Sequence, residues 1–146
     1  MGLLGWFSGL KERPRGAVRG DGEFEVRVVG TSHNQDALAA LCNGRAHNSA
    51  HHPCAALLSP EPRNPHDLHA VAVSIHGIKI GYLERDAARE FEAALRRFGY
   101  DDAACAAMIV GGWDRGKDDQ GSFGVRLDAY MPFEIETPQD WFKEKR

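Results

Sequence analysis

The chain has 146 residues, 42% hydrophobic and 27% charged, which suits one compact domain with modest tails and excludes two independent enzyme-sized lobes. Its longest apolar stretch, Ala103 to Val110, falls far short of the ~20 residues that cross a bilayer, so no transmembrane helix is expected. Net charge is -3, yet the first twenty residues carry four basic side chains against Glu12, which leaves -6 on the remainder; such an acidic body is not built to grip a long duplex by its phosphates, although a small local site is compatible with it.

At the N-terminus, Leu3, Leu4, Trp6, Phe7 and Leu10 precede Lys11, Arg13, Arg15 and Arg19, the reverse of a secretory signal's order. Three cysteines, Cys42, Cys54 and Cys105, show no tight pair spacing, so no disulfide framework is expected and a cytoplasmic, reducing home follows. Residues 1–22, rich in glycine and carrying KERPRG, read as a mobile tail, whose first ten residues have the makeup of a short amphipathic turn for a membrane surface or a partner.

Glu23 to Gly30 alternates Phe24, Val26 and Val28 with Glu25 and Arg27, the period-two pattern of a half-buried strand. Ser32 and Gln35 have capping-box spacing, and a helix is predicted over Asn34 to Cys42, with Ala37, Leu38 and Leu41 on one face and Gly44 ending it. Arg45 to Pro53 reads as a polar loop, and Cys54 to Ser59 as a second strand closed by Pro60 and Pro62. Arg63 to His69 is an ordered turn, because Pro65 fixes its own φ and pushes Asn64 out of the helical region.

His69 to His76 and Ile78 to Leu83 form a hairpin around Gly77. A second helix begins near Asp86, with Ala88, Phe91, Leu95 and Phe98 as its apolar stripe and Gly99 as its end. Ala103 to Val110 and Phe123 to Met131 are two further strands around a long glycine-rich, charged tip that holds Trp113. The predicted architecture is mainly β with two helices (α+β), a small OB-like or modified β-barrel of five to six strands, better suited to this order of elements than a doubly wound parallel sheet. Its expected limits are a tail at 1–22, the barrel at 23–133 and a C-terminal tail at 134–146.

The densest run of unusual residues is Pro60 to Leu83, containing EPRNPHD, HAVAV and GIKIGYL. It resembles the HIRAN domain, whose members carry an E/D-P-x-N-P-x-D turn, an N-A-V-x-V strand and a G-x-x-(I/V)-G-(Y/H)-L hairpin. The upstream VVGTSHNQDALAALC is similar to the opening strand and helix of bacterial members, so the resemblance spans about residues 24 to 130. It implies a modified OB-like barrel, stand-alone and without enzymatic activity, that binds the free 3′ end of single-stranded DNA in repair or replication-fork processing, with a helicase-like ATPase or a nuclease as companion protein.

Carried over by position, the resemblance gives Asp67 the hydrogen bond from the terminal 3′-hydroxyl, with Asn64 as the other half of the turn's polar pair. His66 stands where a stacking tyrosine is expected, Tyr82 where a histidine lies near a phosphate, and Arg85 where a basic residue meets the backbone. Trp113 matches an aromatic that supports a second base. The first strand departs from the pattern, reading Val26, Arg27 and Val28 where an aromatic and an arginine are expected, so one wall of the base sandwich is missing while Arg27 remains for the backbone.

Each of these residues also has a purely structural account, since Asn64, Pro65 and Asp67 are what a tight turn requires and Arg85 suits a solvated helix start. Two further readings stay open. One is an interaction adaptor on the same scaffold, using the acidic surface and apolar tail to bind a protein or a membrane. The other is a zinc-binding variant, because Cys42, His47, His51, His52 and Cys54 fall within thirteen residues, though no C-x-x-C pair anchors them. No cofactor is otherwise implied: there is no phosphate-binding glycine loop ending in Gly-Lys-Ser/Thr, and the acidic residues of the late loop are not paired across a cleft.

Overall fold

A computed structural model describes residues 15–138. In chain order they form β1 (Arg15–Val18), β2 (Val26–Val29), a 3-10 turn (Thr31–His33), α1 (Gln35–Leu41), β3 (Ala50–Pro60), β4 (Val71–Ile75), β5 (Ile78–Leu83), α2 (Arg85–Phe98), β6 (Asp102–Gly111), β7 (Phe123–Leu127) and β8 (Ile135–Glu136). Six strands close a barrel in the order β3-β4-β5-β2-β7-β6, every neighbour antiparallel, and β6 returns to β3 through a ladder from Ala50↔Gly111 to Leu58↔Ala103. This is the mainly β, two-helix barrel that the pattern of elements predicts.

Alternation sets the interior. Along β6, Ala103, Cys105, Ala107 and Ile109 are buried while the residues between them are only partly covered, as a side-chain period of two requires. They meet Leu58, Val73, Ile80 and Leu127 from the facing strands, and Leu38 of α1 is fully buried among them, which stabilises the fold by roughly 2 kcal/mol for a side chain of that size. On α2, Ala88, Phe91, Ala94 and Leu95 are buried, but Phe98, expected in the stripe, stays 39% exposed at the helix's last turn. The predicted hairpin at Gly77 is present, with His76 (φ 51) and Gly77 (φ 78) both left-handed, the backbone of a tight turn matched to strand twist.

The expected tail over 1–22 needs correction at its end, while residues 1–14 and with them the proposed apolar turn lie outside the described residues. Arg15–Val18 is a strand lying parallel to the start of β6 and antiparallel to β8. Arg15 grips Asp102 through two hydrogen bonds of 2.9 and 3.3 Å. Behind this strand the buried carboxylate of Asp128 accepts the backbone N–H groups of Asp21 and Gly22. Glycine and proline around a four-residue strand read locally as loop, and only partners about ninety residues away make it a strand.

Two more expectations shift. The capping box does not form: Asn34, not Ser32, is the N-cap of α1, and Gln35 instead spans to β7, accepting Phe123 N–H at 2.8 Å and donating to Phe123 C=O at 2.9 Å. The polar loop ends at Ser49 rather than Pro53, because β3 already begins at Ala50. Pro53 is tolerated there since β3 pairs only with β6 from Ala50 to Ala56, so no ladder on the other side lacks its N–H.

Candidate nucleic-acid interface

The segment between β3 and β4 folds by its own polar side chains. Asn64 Oδ1 accepts the N–H groups of His66 (2.9 Å) and Asp67 (3.3 Å), and its Nδ2 donates to Glu61 at 3.0 Å. Asp67 Oδ1 accepts His69 N–H at 2.9 Å, and Glu61 N–H closes the loop on Ala70 C=O at 2.8 Å. Asn64 is therefore consumed in holding the turn, as an Asx residue before proline does. Asp67 spends one oxygen on it and keeps Oδ2 without a partner among the described residues.

The turn lies against the β5 end and the start of α2. Val29, Asn64, His66, Asp67, Tyr82 and Arg85 line one cavity of about 420 Å³, so five of the seven predicted interface residues converge. Asn64, His66 and Tyr82 also border a neighbouring cavity of about 860 Å³ reached past Glu61 and Lys79. Arg85 is exposed in the first turn of α2, where the helix dipole adds positive potential, and no ion pair holds it among the described residues.

In β2, Val28 points inward and is buried, whereas Val29, 44% exposed and opposite Tyr82, borders the cavity. Glu61 and Lys79 were missed altogether, because two common surface residues carry no local signal of meeting across 18 positions.

Glu61 organises the second cavity. Lys79 Nζ donates to its Oε2 at 2.6 Å, Tyr82 OH donates to its Oε1 at 3.0 Å, and Lys79 also lies 3.1 Å from the Tyr82 oxygen. Burial pushes the Glu61 carboxyl up, but the bonds from Lys79, Asn64 and Tyr82 outweigh it and hold it below the usual glutamate range; the bond to Glu61 holds Lys79 above the usual lysine range. A carboxyl depressed on folding adds stability above its unfolded value and loses it as pH falls through the folded one. Glu61→Gln is therefore expected to melt a few degrees lower than the native chain at neutral pH, with the gap closing below the usual glutamate range. Melting curves across that window check it, and a gap independent of pH would leave the carboxylate without this role.

Arg27 and Trp113 stand elsewhere, on a separate groove of about 560 Å³. Trp113 is half-buried rather than free: it packs on Gly121, its Nε1 donates to Asp119 at 2.9 Å, and Arg115 sits 5.7 Å from its ring. Among the described residues no group of three or more His, Cys, Asp or Glu side chains is gathered to hold a metal. Cys42, His51 and His52 border one cavity of about 310 Å³, but the five zinc candidates are not gathered into such a group, His51 and His52 being consecutive strand residues that point to opposite faces. Burial, with the nearby Cys42 as a smaller cause, pushes the Cys54 thiol up to about 11. No helix among these residues is long and apolar enough to cross a membrane.

No curated protein and no solved structure matches the chain. The model of one family does, that of the HIRAN domain, over residues 21–111. That span runs from the approach to β2 to the end of β6 and includes the whole Asn64–Asp67 turn with the Tyr82 and Arg85 walls of its pocket. Since the match covers more than half of the chain and carries the pocket with it, the chain belongs to the HIRAN domain family, whose members are generally DNA-end-binding modules.

Proposed function

We propose that this HIRAN domain binds the free 3′ end of single-stranded DNA and serves DNA repair or replication-fork processing beside a helicase-like ATPase or a nuclease. The observation that carries the proposal is the Asp67 carboxylate, anchored through Oδ1 by His69 N–H and open at Oδ2 on the wall of a cavity that also holds Arg85. A carboxylate accepts from a terminal hydroxyl, a donor that an internal phosphodiester lacks, while Arg85 meets the phosphate behind it. Val29 and the His66 ring offer apolar and flat surface to the last base, at the low end of the ~1 to 3 kcal/mol typical of a base stacked on an aromatic. Tyr82 shapes the pocket, its hydroxyl held by Glu61.

Fluorescence polarisation against single strands with a free 3′-hydroxyl, a 3′-phosphate or no ends tests this. Tight, salt-sensitive binding to the free end alone is the expected result. Equal binding to all three would remove end recognition. Binding to none would favour a second reading, contact with a protein, for which the exposed Phe98, Tyr130 and Met131 around a shallow cavity of about 420 Å³ are the candidate surface.

A further inference from the structure

Arg27 on β2 and Arg126 on β7 stand directly opposite each other, and both are exposed. Opposed residues on antiparallel strands have Cβ atoms roughly 5 Å apart, so two like charges there repel and cost stability. Some arginines of the fold meet acids, Arg15 with Asp102 and Arg19 with Glu136, and others such as Arg85 meet none among the described residues. Neither Arg27 nor Arg126 has a hydrogen bond or ion pair among the described residues.

Both border the groove of about 560 Å³ together with Thr31, Ser49, Trp113 and Gly124. Gly124 keeps the groove's floor open: a Cβ there would meet nothing nearer than Val110 Cγ2 at 3.8 Å. Two uncompensated guanidinium groups over an open, hydroxyl-bearing trough fit an oxyanion, which would turn their mutual repulsion into shared attraction.

We propose that Arg126, together with Arg27, forms a second subsite that holds an internal phosphate of the bound DNA strand. The path rests on the end-binding reading above: Val29 in the end pocket and Arg27 in the groove lie two positions apart on the outward face of β2, about 7 Å. A strand with its terminus at Asp67 reaches the groove within its first few nucleotides. Arg126 lies on β7, beyond the stretch of residues 21–111 that the family model matches.

The test compares the native protein with Arg126→Ala, Arg126→Lys and Gly124→Val, using a ten-nucleotide oligothymidylate and a dinucleotide, each with a free 3′-hydroxyl or a 3′-phosphate. Arg126→Ala is expected to weaken ten-nucleotide binding roughly fivefold at low salt and to reduce the slope of log affinity against log salt by about 0.7, the amount for one phosphate contact on a single strand. Arg126→Lys should recover most of that slope, and Gly124→Val, which fills the floor without touching a charge, should weaken the long strand more than the dinucleotide. Arg97→Ala on α2, an equal change in net charge, should leave slope and affinity as they are. An unchanged slope for Arg126→Ala, or an equal loss for both lengths, would overturn the subsite. Failure of end recognition looks different, with hydroxyl and phosphate ends bound alike while Arg126→Ala still flattens the slope; that result would uphold the groove and discard the end reading. No binding by the native protein would overturn both.

Discussion

Asp67→Ala is expected to weaken binding to a free 3′-hydroxyl strand by about 10- to 100-fold, the equivalent of the ~1.5 to 3 kcal/mol of one hydrogen bond to a charged group. Binding to a 3′-phosphate strand should fall far less or even rise, because the native carboxylate repels that phosphate and alanine does not. The two affinities thus converge in the variant. Since Asp67 Oδ1 also accepts His69 N–H, part of any loss could come from a loosened turn, and Asp67→Asn separates the effects. Asparagine keeps an acceptor for His69, so the turn persists, but a neutral oxygen makes the weaker bond to the hydroxyl. Asp67→Asn should therefore melt within a degree or two of the native chain and still lose most of the preference. Equal losses on both strands in Asp67→Ala, with Asp67→Asn unaffected, would reduce Asp67 to a turn residue.

Gly81→Ala is expected to destabilise the fold by about 3 kcal/mol through overpacking and to lower the melting temperature by roughly 10 °C. A Cβ at Gly81 would lie 2.5 Å from the Val29 carbonyl oxygen and 2.6 Å from Val28 Cγ1. The backbone oxygen cannot withdraw without opening the pairs Val28↔Leu83 and Val29↔Tyr82 that join β2 to β5. Because Val29 and Tyr82 are walls of the end pocket, the protein that remains folded should also bind DNA more weakly. Gly124→Ala is the matched control, being in a strand with room for its Cβ, and should change stability by less than about 0.5 kcal/mol. Calorimetry on the pair decides the matter, and equal melting temperatures would mean that β2 shifts more easily than its ladder suggests. The glycine of GIKIGYL is thus a packing residue: it marks where two strands approach too closely for a side chain.

Much of this was legible in the chain itself. Ile78 to Leu83 is a β-rich run that follows a tight turn at His76 and Gly77, the stripe of Ala88, Phe91 and Leu95 has helical spacing, and Asn64, Pro65 and Asp67 close a turn through contacts within a few residues. The grouping of Asn64, His66, Asp67, Tyr82 and Arg85 rested on the resemblance of EPRNPHD and GIKIGYL to the HIRAN motif, and the fold brings all five onto one cavity.

Short-range periodicity and turn chemistry thus specify the barrel's strands from β2 to β7, both helices and the polar turn. Long-range pairing set the rest. It turned Arg15–Val18 from apparent tail into a strand against Asp102 and Ala103, took Gln35 from a helix cap to a bridge onto Phe123, and separated Trp113 from the turn while setting Arg27 against Arg126. The contacts of Arg15, Gln35 and Arg27 depend on partners some ninety residues away, and no local pattern specifies which distant strand a backbone will find. That choice is made when the barrel closes and each remaining edge must satisfy its hydrogen bonds.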